Sequence, residues 1–126
     1  MRSLLKASLM AAAVLIATPS IAADVTGDWA IEASLGDIPI YVNCTLVQTG
    51  EALSGTCTPV MEDPETSTLT GSVNGVQIEW SYDVFFNGAP GHVVFAGEIA
   101  EDDSLAGTLD LSGTPTTFTA ARVTAE

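Results

Sequence analysis

Asn74-Gly75 lies between two runs of alternating apolar and polar residues, Ser67 to Val73 and Val76 to Phe86. Both central positions of a two-residue hairpin turn need positive φ, which Asn and Gly tolerate best, so this stretch is expected to be a β-hairpin. Placing Val73 opposite Val76 sets Gly71 against Ile78, Leu69 against Trp80 and Ser67 against Tyr82. The apolar side chains then share one face, and Thr68, Thr70, Ser72, Gln77, Glu79, Ser81 and Asp83 share the other. One face belongs to a core and the other to water.

The same period runs through the rest of the chain. Gly27-Asp28-Trp29 opens a strand with Trp29, Ile31 and Ala33 on one face, and Gly36-Asp37 turns it. Ile40 to Gln48 and Leu53 to Thr58 flank a turn at Gly50-Glu51. A two-residue loop there places Thr49 opposite Ala52, Leu46 opposite Gly55 and Cys44 opposite Cys57. Val60 to Thr66 reads as the longest polar loop, and Asn87 to Gly91 as a second loop of turn formers before a strand that starts at His92. Glu101-Asp102-Asp103 leads into Leu105 to Leu111, and Ser112 to Pro115 turns into a last strand carrying Phe118, Ala120 and Arg122. Eight strands joined by short sequential connections predict an all-β, eight-stranded antiparallel up-and-down barrel, since closure removes exposed edges.

Residues 1–23 have a basic start at Arg2 and Lys6, an apolar run from Leu9 to Ala17 and small residues before Asp24, the pattern of a secretory signal peptide. That run is shorter than the roughly 18 to 20 residues a membrane span needs, so no membrane insertion is expected after cleavage. Residues 24–126 are then one exported barrel domain, periplasmic or extracellular. Cleavage removes two bases and no carboxylate, taking the net charge from −13 to −15 with Arg122 as the remaining strong base. Such a field repels phosphate and anionic lipid, which argues against nucleic acid as a partner and favours a soluble monomer. In an exported chain the facing Cys44 and Cys57 should form a disulfide.

A recurring unit, Leu53-Ser-Gly55, Leu69-Thr-Gly71, Phe95-Ala-Gly97 and Leu105-Ala-Gly107, places a glycine on the inner face two residues after a large apolar one. Glycine there lets strands coil tightly enough to close a narrow barrel, and it also leaves room for a ligand. The interior brings few polar groups, notably Tyr82 and Arg122, so no catalytic residue, cofactor or metal ligand is expected. His92, the sole histidine, falls on the outer parity. A bulge near Gly91 would be needed to turn it toward the mouth, with Asp83 or Glu98 nearby, and no second nitrogen ligand is at hand for a metal.

The Gly27-x-Trp29 start, the eight-strand meander and Phe118-x-Ala-x-Arg122 resemble the calycin group of small barrels, the lipocalins and lipocalin-like proteins. The resemblance implies that Trp29 plugs a closed end with Arg122 packed against it. Topology puts the long loops at the other end, with Tyr82, Val84 and Phe86 near the mouth, Met61 as a lid, and Trp80 and Phe95 deeper inside. The expected function is binding of a small apolar or amphipathic molecule without catalysis. A second similarity, to periplasmic barrels that inhibit proteases and combine an early Trp with one disulfide, points instead to a protein partner. A lyase or isomerase shaping an apolar substrate is the third reading.

Overall fold

The structure, a computed structural model, describes residues 24–86 and 88–123; the expected signal peptide lies outside the described residues. Its strands are β1 (Gly27–Leu35), β2 (Ile38–Thr49), β3 (Ala52–Pro59), β4 (Ser67–Asn74), β5 (Gln77–Phe86), β6 (Ala89–Ile99), β7 (Leu105–Leu111) and β8 (Thr114–Arg122). They form a closed antiparallel barrel in sequence order, completed where β1 pairs with β8. The alternation read from the sequence is the alternation of burial. Trp29, Ile31, Leu46, Leu69, Trp80, Phe95 and Leu105 are buried, each contributing about 1.5–3 kcal/mol relative to an exposed position.

Cys44 and Cys57 are cross-strand partners and are joined by a disulfide, in the register that pairs Thr49 with Ala52. Both cysteines are buried, a situation compatible with an oxidising compartment.

The central hairpin departs from expectation by two residues. Its turn is Gly75-Val76, not Asn74-Gly75: Asn74 belongs to β4 and pairs with Gln77, while Val73 faces Ile78 and Gly71 faces Trp80. Gly75 takes φ +65°. A shift of two leaves every face unchanged, except that Val76 now sits exposed in the turn. The physical reason is Trp80: opposite Leu69 its indole would meet a branched side chain, whereas Gly71 offers only backbone. A Cβ on Gly71 would come 2.7 Å from the Trp80 Cβ.

A second correction concerns Asn87 to Gly91. Phe86 pairs with Ala89, Phe85 with Pro90 and Val84 with Gly91, so Ala89 to Gly91 belong to β6, and no long loop exists there. Pro90 is tolerated because β6 has no β7 partner at that level: their ladder ends at Val93↔Leu111. Nor does a bulge redirect His92, which pairs in register with Asp83. At the end holding residues 60–66, which we call the Met61 end, the other connections are short turns, while the Trp29 end carries the connection at residues 100–104. Loop length therefore does not separate an open end from a closed one.

Candidate functional site

The inside of the barrel is an aromatic stack. Trp80 and Phe95 lie face to face with centroids 4.8 Å apart, Tyr82 continues the stack at 6.1 Å from Phe95, and Phe118 meets Phe95 edge-on at 5.1 Å. The inward glycines are filled space. A Cβ on Gly55 would strike the Thr45 carbonyl, on Gly71 that of Glu79, on Gly97 that of Ala106 and on Gly107 that of Ala96. Gly97 and Gly107 face one another, and the Phe118 ring tip would lie 3.2 Å from a Cβ on Gly97. The glycines let neighbouring strands approach and give the rings a flat floor. Trp80, Tyr82 and Phe95, expected to line a chamber, are thus packed on one another. Burial pushes the Tyr82 hydroxyl pKa well above its ordinary value. Trp80 Nε1 is buried without a hydrogen-bond partner.

The Trp29 end is closed by side chains and by residues 24–26. Trp29 Nε1 donates to the Val25 carbonyl at 2.9 Å, and Val25 N donates to Gln48 Oε1 at 2.9 Å. Arg122 lies over the Trp29 ring and donates from Nη1 to Thr26 O at 2.7 Å and from Nη2 to Asp24 O at 3.1 Å. Its Nε also bonds Asp103 Oδ2 at 2.7 Å. That bond holds the Asp103 carboxyl below the usual carboxylate range and raises the guanidinium further.

The Met61 end has a different chemistry. Ile38, Met61 and Phe85 are 66 %, 59 % and 68 % exposed, and Tyr41 and Val60 are exposed at the same end; Val60 N donates to Tyr41 O at 2.9 Å. Half-buried Ala33, Ile40, Val84 and Leu111 connect this rim to the core. Of the residues expected at a mouth, Met61 and Val84 are at this end, whereas Tyr82 is buried in the ring stack beside Phe95. Phe86 pairs with Ala89 at the rim, but its side chain lies outside what the structure describes. An open cleft of about 790 Å³ runs beside β5, lined by Glu65, Thr66, Asp83, Val84, Phe85 and His92 among others.

His92 Nδ1 lies 2.7 Å from Asp83 Oδ1, with the side chains 55 % and 88 % exposed. Glu98 lies elsewhere, opposite Gln77. A solvent-bathed contact of this kind adds little to stability. Among the described residues no cluster of three His, Cys, Asp or Glu could hold a metal ion.

Sequence reasoning passed over Ile38 and Phe85. The available signal for Phe85 was an aromatic residue on the polar parity of a strand, followed closely by Pro90. No protein-family model matches the chain, and no curated protein does.

Proposed function

We propose that this chain is an exported, lipocalin-like barrel that works as a protein-binding module, presenting the rim of its Met61 end to a partner. The observation that carries the reading is the exposure of Ile38, Tyr41, Val60, Met61 and Phe85 at one end of a barrel whose interior is filled by its own rings. Large apolar side chains exposed to water mark interaction surfaces, and aromatic and Met side chains are favoured there; those exposed toward the other end, Val47, Val76 and Val123, include neither. The acidic balance of the chain, 16 carboxylates against 3 bases, would steer a basic partner toward it. The disulfide, the leader-like residues 1–23 and the likeness to protease-inhibiting barrels fit an extracytoplasmic binder.

The apolar-ligand reading keeps one observation in its favour, the unpartnered Trp80 Nε1, which a small buried acceptor would satisfy. Extraction of the protein, purified from its native exported fraction, with organic solvent and mass analysis of both phases separates the two. The module reading expects no stoichiometric small molecule and a co-purifying exported protein, lost from the Met61→Ser/Phe85→Ser variant at unchanged melting temperature. A stoichiometric apolar compound retained by that variant would overturn it.

A further inference from the structure

The β4–β5 ladder runs from Asn74↔Gln77 only as far as Thr70↔Ser81, although β4 begins at Ser67 and β5 continues to Phe86. On their other sides both strands stay paired: Ser67 to Leu69 with Gly55 to Cys57 of β3, and Tyr82 to Phe86 with Ala89 to Val93 of β6. The barrel wall is unzipped along this seam at the Met61 end. The cleft opens there, with Thr66, Ser67 and Thr68 on one bank and Asp83, Val84 and Phe85 on the other. The β6–β7 ladder also stops short, at Val93↔Leu111, but Ser112 N donates to His92 O beyond it. The β8–β1 seam also stops short, at Ala33↔Phe118, but Thr116 Oγ1 bridges it by donating to Ser34 O at 2.6 Å. No side-chain bridge of that kind spans the β4–β5 seam among the described residues.

Strand backbone without a neighbour is a template for another strand. Resting on the protein-binding reading above, we propose that this seam is a β-augmentation site: an extended, cationic segment of the partner pairs with the β5 edge between Tyr82 and Phe86. Main-chain pairing supplies affinity in this recognition mode, and alternate side chains supply selectivity. On the outer face an added strand would lie beside Asp83 and Phe85, a carboxylate and an exposed ring, both of which favour Lys or Arg. On the inner face it would lie beside Val84, which favours an apolar residue. Glu65 adds a second carboxylate to the cleft; His92 lines it, against Asp83 Oδ1, and neither Lys nor Arg does. The segment that fits therefore alternates basic and apolar residues.

The test is amide hydrogen exchange by NMR on the full mature protein, with an acetylated and amidated (Lys-Val)₄ peptide as probe. Two further probes are its (Glu-Val)₄ counterpart and a (Lys-Val)₄ peptide N-methylated at alternate residues. The lysine peptide should slow exchange, in a saturable way, at those amides of Tyr82 to Phe86 that point away from β6. Its affinity should drop about tenfold or more on N-methylation and on Asp83→Lys. The acidic peptide should not bind.

Equal binding of the N-methylated peptide would overturn strand addition. So would finding that the amides of Tyr82 to Phe86 pointing away from β6 are already as protected in the free protein as those of Gln77 to Ser81. Either result leaves the protein-binding reading standing, because that reading fails on a different observation, the recovery of a stoichiometric small molecule.

Discussion

The guanidinium carbon of Arg122 sits 4.5 Å from the centre of the Trp29 ring, and the same fork reaches the carbonyls of Asp24 and Thr26 and the carboxylate of Asp103. One side chain of β8 therefore joins the barrel wall, the segment covering its end and the connection before β7. Arg122→Ala should lower stability by about 1–3 kcal/mol, combining the cation–π contact with lost charge-assisted bonds. Arg122→Lys should recover only part of this, since an ammonium cannot fork to several acceptors. Urea unfolding of the two variants measures both effects, and the cleft beside β5 should keep its binding properties in each.

Acid should loosen the same contact. The Arg122 hydrogen bond holds Asp103 below its ordinary value. The folded-state pKa is lower than the unfolded one, so the pair's contribution is complete above the ordinary aspartate range and is lost as pH falls through the folded value. Asp102, held down by Ser104, acts in the same direction. Both carboxylates are solvent-exposed, so the effect is modest and weakens with salt. Melting curves of wild type and Asp103→Asn should differ at neutral pH and converge as the carboxylate protonates.

Gly107 tests the packed-interior description. Its φ is outside the positive range, so the backbone alone would accept alanine, but the added carbon would strike Ala96 O and Gly97 Cα. Gly107→Ala should cost about 1–3 kcal/mol by overpacking. Gly50→Asn, at φ +64° with no atom within 4 Å of the added carbon, should stay within about 0.5 kcal/mol of wild type, because Asn tolerates the left-handed region. If Gly107→Ala unfolds at the same urea concentration as wild type, the strands are further apart than described.

The Cys44–Cys57 bridge spans a sequence separation of 13. Replacing both cysteines with alanine should cost roughly 2–3 kcal/mol, the low part of the range for disulfides, because the loop is short. The β2–β3 ladder continues on both sides of the bridge, so the variant should remain folded, with an unchanged circular dichroism spectrum and a lower denaturation midpoint.

Which residues face inward was legible because a sheet has a period of two, and an error of two in register leaves every side chain but that of Val76, which moves into the turn, on its expected face. That is why Trp80, Leu69 and Val73 were placed inside correctly while the turn was placed one residue early. The turn position was decided by tertiary packing, Trp80 against Gly71, which local turn preference does not encode. The disulfide was legible because the Gly50-Glu51 loop fixes its own register. The start of β6 was not: Ala89-Pro90-Gly91 has turn composition, and Pro90 fits a strand only because the neighbouring ladder has ended. The unzipped seam was illegible for the same kind of reason. It arises where Ser67 to Leu69 stay paired with β3 and Tyr82 to Phe86 with β6 but not with each other, a property of two strands with respect to their other neighbours.

Closing the barrel requires β1 to find β8, so Trp29 must meet Arg122 and Ala33 must meet Phe118. Every other ladder joins strands adjacent in the chain. Hairpins of that kind form within microseconds, whereas a contact between the two ends of a domain waits on loop-closure entropy and on the arrival of the last strand. The final ladder is therefore expected to set the folding rate, as non-local pairing does in β proteins generally. Until it forms, β1 and β8 are open edges carrying Trp29, Ile31 and Phe118, and the time before closure is when a chain of this design is most exposed to association with its own copies.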